Sequence, residues 1–249
     1  MKRLPLFVLF LSIFPAFPLL AWTHASDLRI AKKAIELGPP DLRLVLNHFA
    51  PEFQRGLQKA EGDEGSAEHH YFVLSRTGNL RTRIDLETNA IVAMLRGKQS
   101  MSVIAERLGM LSHLIADANN PFHIANDDSR LGGVRNDFEQ YFERRMARFP
   151  TVFYGLDPAF RTSSYFDRTF ARTRKFYPLI GEEYFRGGEE HTSADFDDRS
   201  TAFGVASVCY SHAVTDLVNL YYFIWKEAGG DVRSAATMRS SGGRASNAN

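Results

Sequence analysis

The run LGMLSHLIADANNPFH, residues 108–123, decides how the rest of the chain is read. Its apolar residues recur at helical spacing. Positions i and i+4 of a helix share a face, so His113 and Asp117 project toward one centre. Pro121 cannot continue that helix, and Asn119-Asn120 ahead of it favour a turn that swings His123 back toward the same face. Two imidazoles and a carboxylate suit a zinc ion. The same side chains also fit a helix end carrying a surface His–Asp pair, and this run alone leaves both readings open.

Helical periodicity extends to both sides of the run. Leu28, Ile30, Ala31, Ala34 and Ile35 form a stripe that stops at Gly38-Pro39-Pro40. Asp41 then stands where it can cap a second helix through Leu42, Leu44 and Leu46. Residues 84–95, 101–118, 137–146, 165–184 and 200–228 carry the same period. Strand signals are thin, since HHYFVL (69–74) has no partner across a hairpin turn. Residues 62–65 make an acidic, glycine-bearing loop. From residue 229 onward, GGDVRSAATMRSSGGRASNAN reads as a disordered tail over 229–249. The expectation is an all-α, single-domain multi-helix bundle over residues 22–228.

The chain has 249 residues, 44% of them hydrophobic, enough to bury a full core. A formal charge of +1 gives no reason to expect a stable nucleic-acid partner. Lys2 and Arg3 precede an apolar stretch broken by Pro15 and Pro18, so residues 1–21 read as a secretory signal. Cleavage after Ala21 leaves Trp22 first, whereas cleavage after Ala25 leaves Ser26 first. Either predicts a secreted or periplasmic protein. Cys209, the single cysteine, excludes an intrachain disulfide and reads as a buried small hydrophobe. His212 and Asp216 are also four apart, but with no third ligand nearby they read as a buried salt bridge or a solvent-facing histidine.

Leu108, Gly109, His113, Asp117, Pro121 and His123 together resemble the signature of the zinc-dependent phospholipase C and single-strand nuclease superfamily. That resemblance implies a secreted all-α protein whose mature chain begins with tryptophan, a place Trp22 fills. It implies that His113 and Asp117 bind a first zinc, with Asp117 bridging to a third ion held also by the amine and carbonyl of Trp22. His123 matches a ligand of the second zinc, and Glu139, in RNDFEQYFE, matches the helix that closes that site. HHYF resembles the family's ligand histidine followed by aromatics, which favours His70 over His69. Asp63 is the counterpart of the remaining carboxylate of the first zinc, as a ligand and proton acceptor.

Two positions depart from the pattern. Arg135 stands where the family has a second-site histidine, and a guanidinium cannot ligate zinc. Three readings stay open there: a fixed cation beside substrate phosphate, a surface pair with Glu139, or a replacement ligand from afar such as His191. Asp27 aligns with another expected histidine, and its carboxylate can substitute, as can neighbouring His24. The resemblance thus implies two or three zinc ions with an incomplete second site. The function it implies is hydrolysis of phosphodiesters by metal-activated hydroxide. Near-neutral charge and the lack of disulfides tilt the substrate toward phospholipids, with transient membrane-surface contact by a monomer. A single-strand nuclease or nucleotidase, and a non-catalytic metal-binding protein, are the alternatives.

Overall fold

A computed structural model describes residues 24–62 and 66–232. The expected signal (1–21), Trp22, Asp63 and residues 233–249 of the expected tail lie outside the described residues. Among those described there are ten α-helices, with short 3-10 turns between them and a lone bridge, Phe72 to Thr77, as the strand pairing. The all-α expectation is met.

The helices are α1 (His24–Leu37), α2 (Pro40–His48), α3 (Ala50–Glu61), α4 (Leu80–Arg96), α5 (Met101–Ala118), α6 (Pro121–Ile124), α7 (Leu131–Arg145), α8 (Thr162–Arg174), α9 (Tyr177–Tyr184) and α10 (Thr201–Glu227). Asp41 lies in the first turn of α2 but is not its cap; Pro39 holds that position with no side-chain hydrogen bond. Pro40 at the helix start has no N–H to satisfy, which makes a cap less necessary. The stretch 165–184, expected as one helix, is broken between α8 and α9, where Pro178 sits in the first turn of the second piece. Helix α10 is one unbroken run, and its Ser200 side chain accepts from the Phe203 N–H as a true cap.

Helix α5 is the axis of the molecule, and every residue from Leu111 to Ala118 is buried. Helix α3, which has no counterpart in the periodicity reading, packs against it at backbone distance. A Cβ on Gly109 would stand 2.0 Å from the Phe53 carbonyl oxygen, and one on Gly56 would stand 1.9 Å from that of Glu106. The Leu-Gly pair ahead of His113 therefore has a packing reason: only glycine lets the two helices touch there. Replacing Gly109 with alanine gains about 1 kcal/mol of helix propensity. The clash with fixed backbone outweighs it, so the variant loses about 2 kcal/mol net in a urea unfolding titration. A variant at least as stable as the parent contradicts this packing.

Cys209 is buried on α10, and burial pushes its thiol up to about 12, in keeping with a structural role.

Candidate metal centre

His113 and Asp117 stand one turn apart on α5, both almost fully buried. Asp117 Oδ2 lies 3.4 Å from His113 Nε2 and 2.8 Å from His69 Nδ1. Its other oxygen is 3.5 Å from His123 Nδ1. Candidate ligand atoms of His69, His113 and Asp117 all fall within 4.8 Å of one another. On the far side of His113, Nδ1 is 2.5 Å from Asp27 Oδ2 of α1. A histidine that gives one ring nitrogen to a carboxylate and turns the other inward is held in the tautomer a metal needs. The geometry thus has Asp27 orienting His113.

Electrostatics point to a cation. Asp27 and Asp117 are buried together, and neither pairs with a lysine or arginine among the described residues. Burial pushes Asp27 up to about 6, against the pull of His113, and the neighbouring Asp117 and Glu61 charges raise it further. Burial would raise Asp117 too, but the facing imidazoles of His113, His123 and His69 outweigh it and hold its carboxyl well below the usual range. Asp27 Oδ1 is buried without a hydrogen-bond partner. Two buried carboxylates beside three imidazoles are costly alone and are balanced by one divalent ion. The donor set therefore fits zinc.

His69 and His70 adjoin but do different things. Ser66 caps the 3-10 turn Ala67–His69, and His70 is extended, at φ −126° and ψ 146°. Consecutive side chains then diverge. His69 reaches Asp117, whereas the His70 ring lies 4.6 Å from that of His123 and stacks on Phe72. The turn is tied down by Tyr71 N–H donating to the His123 carbonyl at 2.9 Å and Val73 N–H to that of Ile124 at 3.1 Å. Gly78, at φ +99°, lets the chain pass so close to the His70 carbonyl that a Cβ would stand 2.0 Å from it. Periodicity carried no signal for His69, because nothing in a doubled histidine says which member turns inward. Its only trace in the sequence is the Ser66 cap, which marks the turn.

A second cluster adjoins the first. His123 Nδ1 donates to the His69 carbonyl at 2.7 Å, leaving Nε2 as acceptor, and Arg135 Nη2 meets it at 2.7 Å. Arg135 Nε donates to Glu139 Oε1 at 2.9 Å, and Asn120 Nδ2 donates to the same oxygen at 3.2 Å. The guanidinium thus spans the two side chains expected to hold a second ion. Glu139 is 2% exposed, so Arg135 and Glu139 are not the surface pair that spacing allowed. Burial pushes Glu139 up to about 7 despite Arg135. Burial first, then Arg135, holds His70 and His123 toward their neutral forms. His70 Nδ1 is buried without a hydrogen-bond partner beside this cluster.

Other expected positions fall elsewhere. His191 does not replace the missing histidine; its Nε2 engages the Arg186 carbonyl and its Nδ1 faces Asp195. His212 and Asp216 are neither a metal pair nor a salt bridge. Asp216 is fully buried and accepts from Arg172, Tyr165, Thr169 and Asn119, while His212 stacks on Tyr154. Helix α8 supplies three of those donors, a long-range contact invisible in the spacing. Asp127 and Asp128 pair with Arg174 and Arg130 in an exposed loop.

No family model matches the chain, and no curated protein does. Solved structures share the fold, two clostridial toxins among them. The alpha toxin from Clostridium absonum matches with a TM-score of 0.64 at 16% identity, over 84% of this chain and 65% of the toxin. The alpha-toxin of Clostridium perfringens from avian strain SWCP matches with a TM-score of 0.59 at 15% identity, over the same 84% and 65%. The chain therefore spans 65% of the length of each toxin.

Proposed function

We propose that this chain is an exported zinc-dependent phosphodiester hydrolase of the phospholipase C type. The observation that carries the reading is the pairing of two cation positions side by side: the buried His69, His113 and Asp117 group, and Arg135 clamped between His123 and Glu139. The fold shared with two clostridial alpha-toxins supports it. A zinc ion bound at the first position supplies Lewis-acid polarisation of a phosphate oxygen and lowers the pKa of a water.

The protein's own residues do the rest. Asp27 holds the His113 ring, and Asp117 collects the imidazoles around one centre. Arg135 presents planar N–H donors to a phosphate oxygen, and its positive charge cannot be lost by deprotonation. His70, kept neutral and half-buried beside it, accepts a proton or a hydrogen bond from substrate. Asp63 completes the first ligand set, and Trp22 and Asp27 contribute a further ion position, so that two or three zinc ions are bound. Export fits the apolar leader, and among the described residues no helix is long and apolar enough to cross a membrane. The protein acts as a monomer on phospholipid.

A single-strand nuclease or a non-catalytic metal binder is the competing reading, motivated by the arginine at position 135. Purified mature protein is expected to contain at least two zinc ions per chain by elemental analysis. It is expected to release phosphocholine from phosphatidylcholine while leaving single-stranded DNA intact. Nuclease activity without lipase activity reverses the substrate assignment. One ion or none, with both substrates untouched, makes the protein a binder.

A further inference from the structure

Residues 150–157 form a segment with an unusual support. It is neither helix nor strand, yet its backbone is fastened to α10 by three buried side chains spaced one helical turn apart, Ser211, Thr215 and Asn219. Ser211 Oγ accepts from the Val152 N–H at 3.2 Å and donates to the Pro150 carbonyl at 3.1 Å. Thr215 Oγ1 accepts from the Tyr154 N–H at 3.2 Å. Asn219 accepts from the Asp157 N–H at 2.6 Å and donates to the Gly155 carbonyl at 3.0 Å. The ring of Tyr154 is fixed as well, stacked on His212 with centroids 4.3 Å apart. Three N–H groups and two carbonyls of the segment are held by α10 in this way.

Those side chains stay outside. Val152, Phe153, Tyr154 and Leu156 are 43%, 41%, 50% and 47% exposed. Four large apolar residues within five positions make a contiguous patch, which folded proteins rarely hold rigid toward water without a partner. A cavity of about 400 Å³ adjoins it, lined by Leu156, Phe160, Tyr222 and Phe223 and bordered by Arg161 and Lys226. The acids at this border are already neutralised: Asp157 pairs with Arg168 at 2.7 Å, and Glu227 with Arg96 at 3.1 Å. Among the described residues Arg161 donates to the Phe160 carbonyl alone, and Lys226 has no ion pair. The border is therefore net positive.

We propose that the ledge at residues 152–156, with Arg161 and Lys226 beside it, docks this protein on the surface of an anionic phospholipid bilayer. Aromatic and aliphatic side chains enter the headgroup boundary, while the two cations face lipid phosphates. A preformed ledge loses little conformational freedom on docking. Docking does not depend on the proposed reaction and is tested apart from it.

The test is cosedimentation of the full mature chain, on ice, with vesicles of phosphatidylcholine alone or of equal parts phosphatidylcholine and phosphatidylserine. Binding is expected to be roughly tenfold tighter to the mixed vesicles. The double variant Phe153→Ser/Leu156→Ser is expected to weaken it by roughly tenfold or more. The same variant should leave hydrolysis of soluble bis-(p-nitrophenyl) phosphate unchanged, which separates docking from chemistry. Phe153→Trp, which keeps the bulk, should be quenched by brominated lipid. Absent binding, or binding and quenching unaffected by these changes, overturns the proposal. So does a vesicle-free dimer that Phe153→Ser/Leu156→Ser dissociates, since the ledge would then serve a second copy.

Discussion

Asp117→Asn is expected to strip the protein of its zinc and to lower phosphodiester hydrolysis by roughly a thousandfold or more. The change keeps the size of the side chain and removes its charge. Asp117 lies within 3.5 Å of His69, His113 and His123 together. Without its charge, the three imidazoles have no common anion, and an ion bound there would lose half of the carboxylate pair that balances it. Elemental analysis after gel filtration reads the metal, and release of p-nitrophenol from a soluble diester reads the activity. Zinc retained at the parental ratio would show that the ion is held elsewhere. Asp27→Asn is expected to be milder, because Asp27 acts on His113 through a hydrogen bond, and loss of such an orienting partner costs roughly ten- to a hundredfold in metal affinity.

The second large effect concerns Arg135. Arg135→Met keeps the aliphatic stem and deletes the cation between His123 and Glu139. The Glu139 carboxylate, 2% exposed, is then buried with Asn120 as its one remaining donor among the described residues. Removing one partner of a buried pair costs about 3–5 kcal/mol, and because Arg135 itself is partly exposed the lower end applies. Turnover should also fall by roughly a hundredfold or more, since a fixed donor at a developing charge is lost. Added guanidinium should restore part of that turnover. Arg135→His makes the opposite test: it returns an imidazole to the pair of His123 and Glu139, and bound zinc should rise by one ion per chain. A Met variant with parental melting and turnover would reduce Arg135 to a bystander.

Most of the helical architecture was legible because its signals are local. Apolar spacing marked α1, α4, α5, α7 and α10, and the prolines near residue 40 marked the boundary before α2. The failures share a cause. Helix α3 carries Phe53, Leu57 and Ala60 on one face, but Gly56 among them looks like a breaker until Gly109 on α5 is seen to need a partner that close. The single helix expected over 165–184 ignored Pro178, whose cost is local, in favour of a period that happens to continue across it.

The centre divides along the same line. That His113 and Asp117 face one point follows from helix geometry alone, and that His123 returns toward them follows from a proline and two asparagines. Which member of His69-His70 turns inward depends on a 3-10 turn whose exit is clamped by Gly78 and by the Tyr71 and Val73 N–H groups donating to two α6 carbonyls. That Arg135 sits between His123 and Glu139, and not on the surface, depends on α7 burying one face against the core. Asp216 looked like a partner for His212 until α8 brought Arg172 and Tyr165 to it. Most helices, and the face shared within each, were written in local spacing, because backbone hydrogen bonding links residues only a few positions apart. The tertiary structure alone decided which distant side chains meet at that face, because that depends on how whole helices exclude water between them.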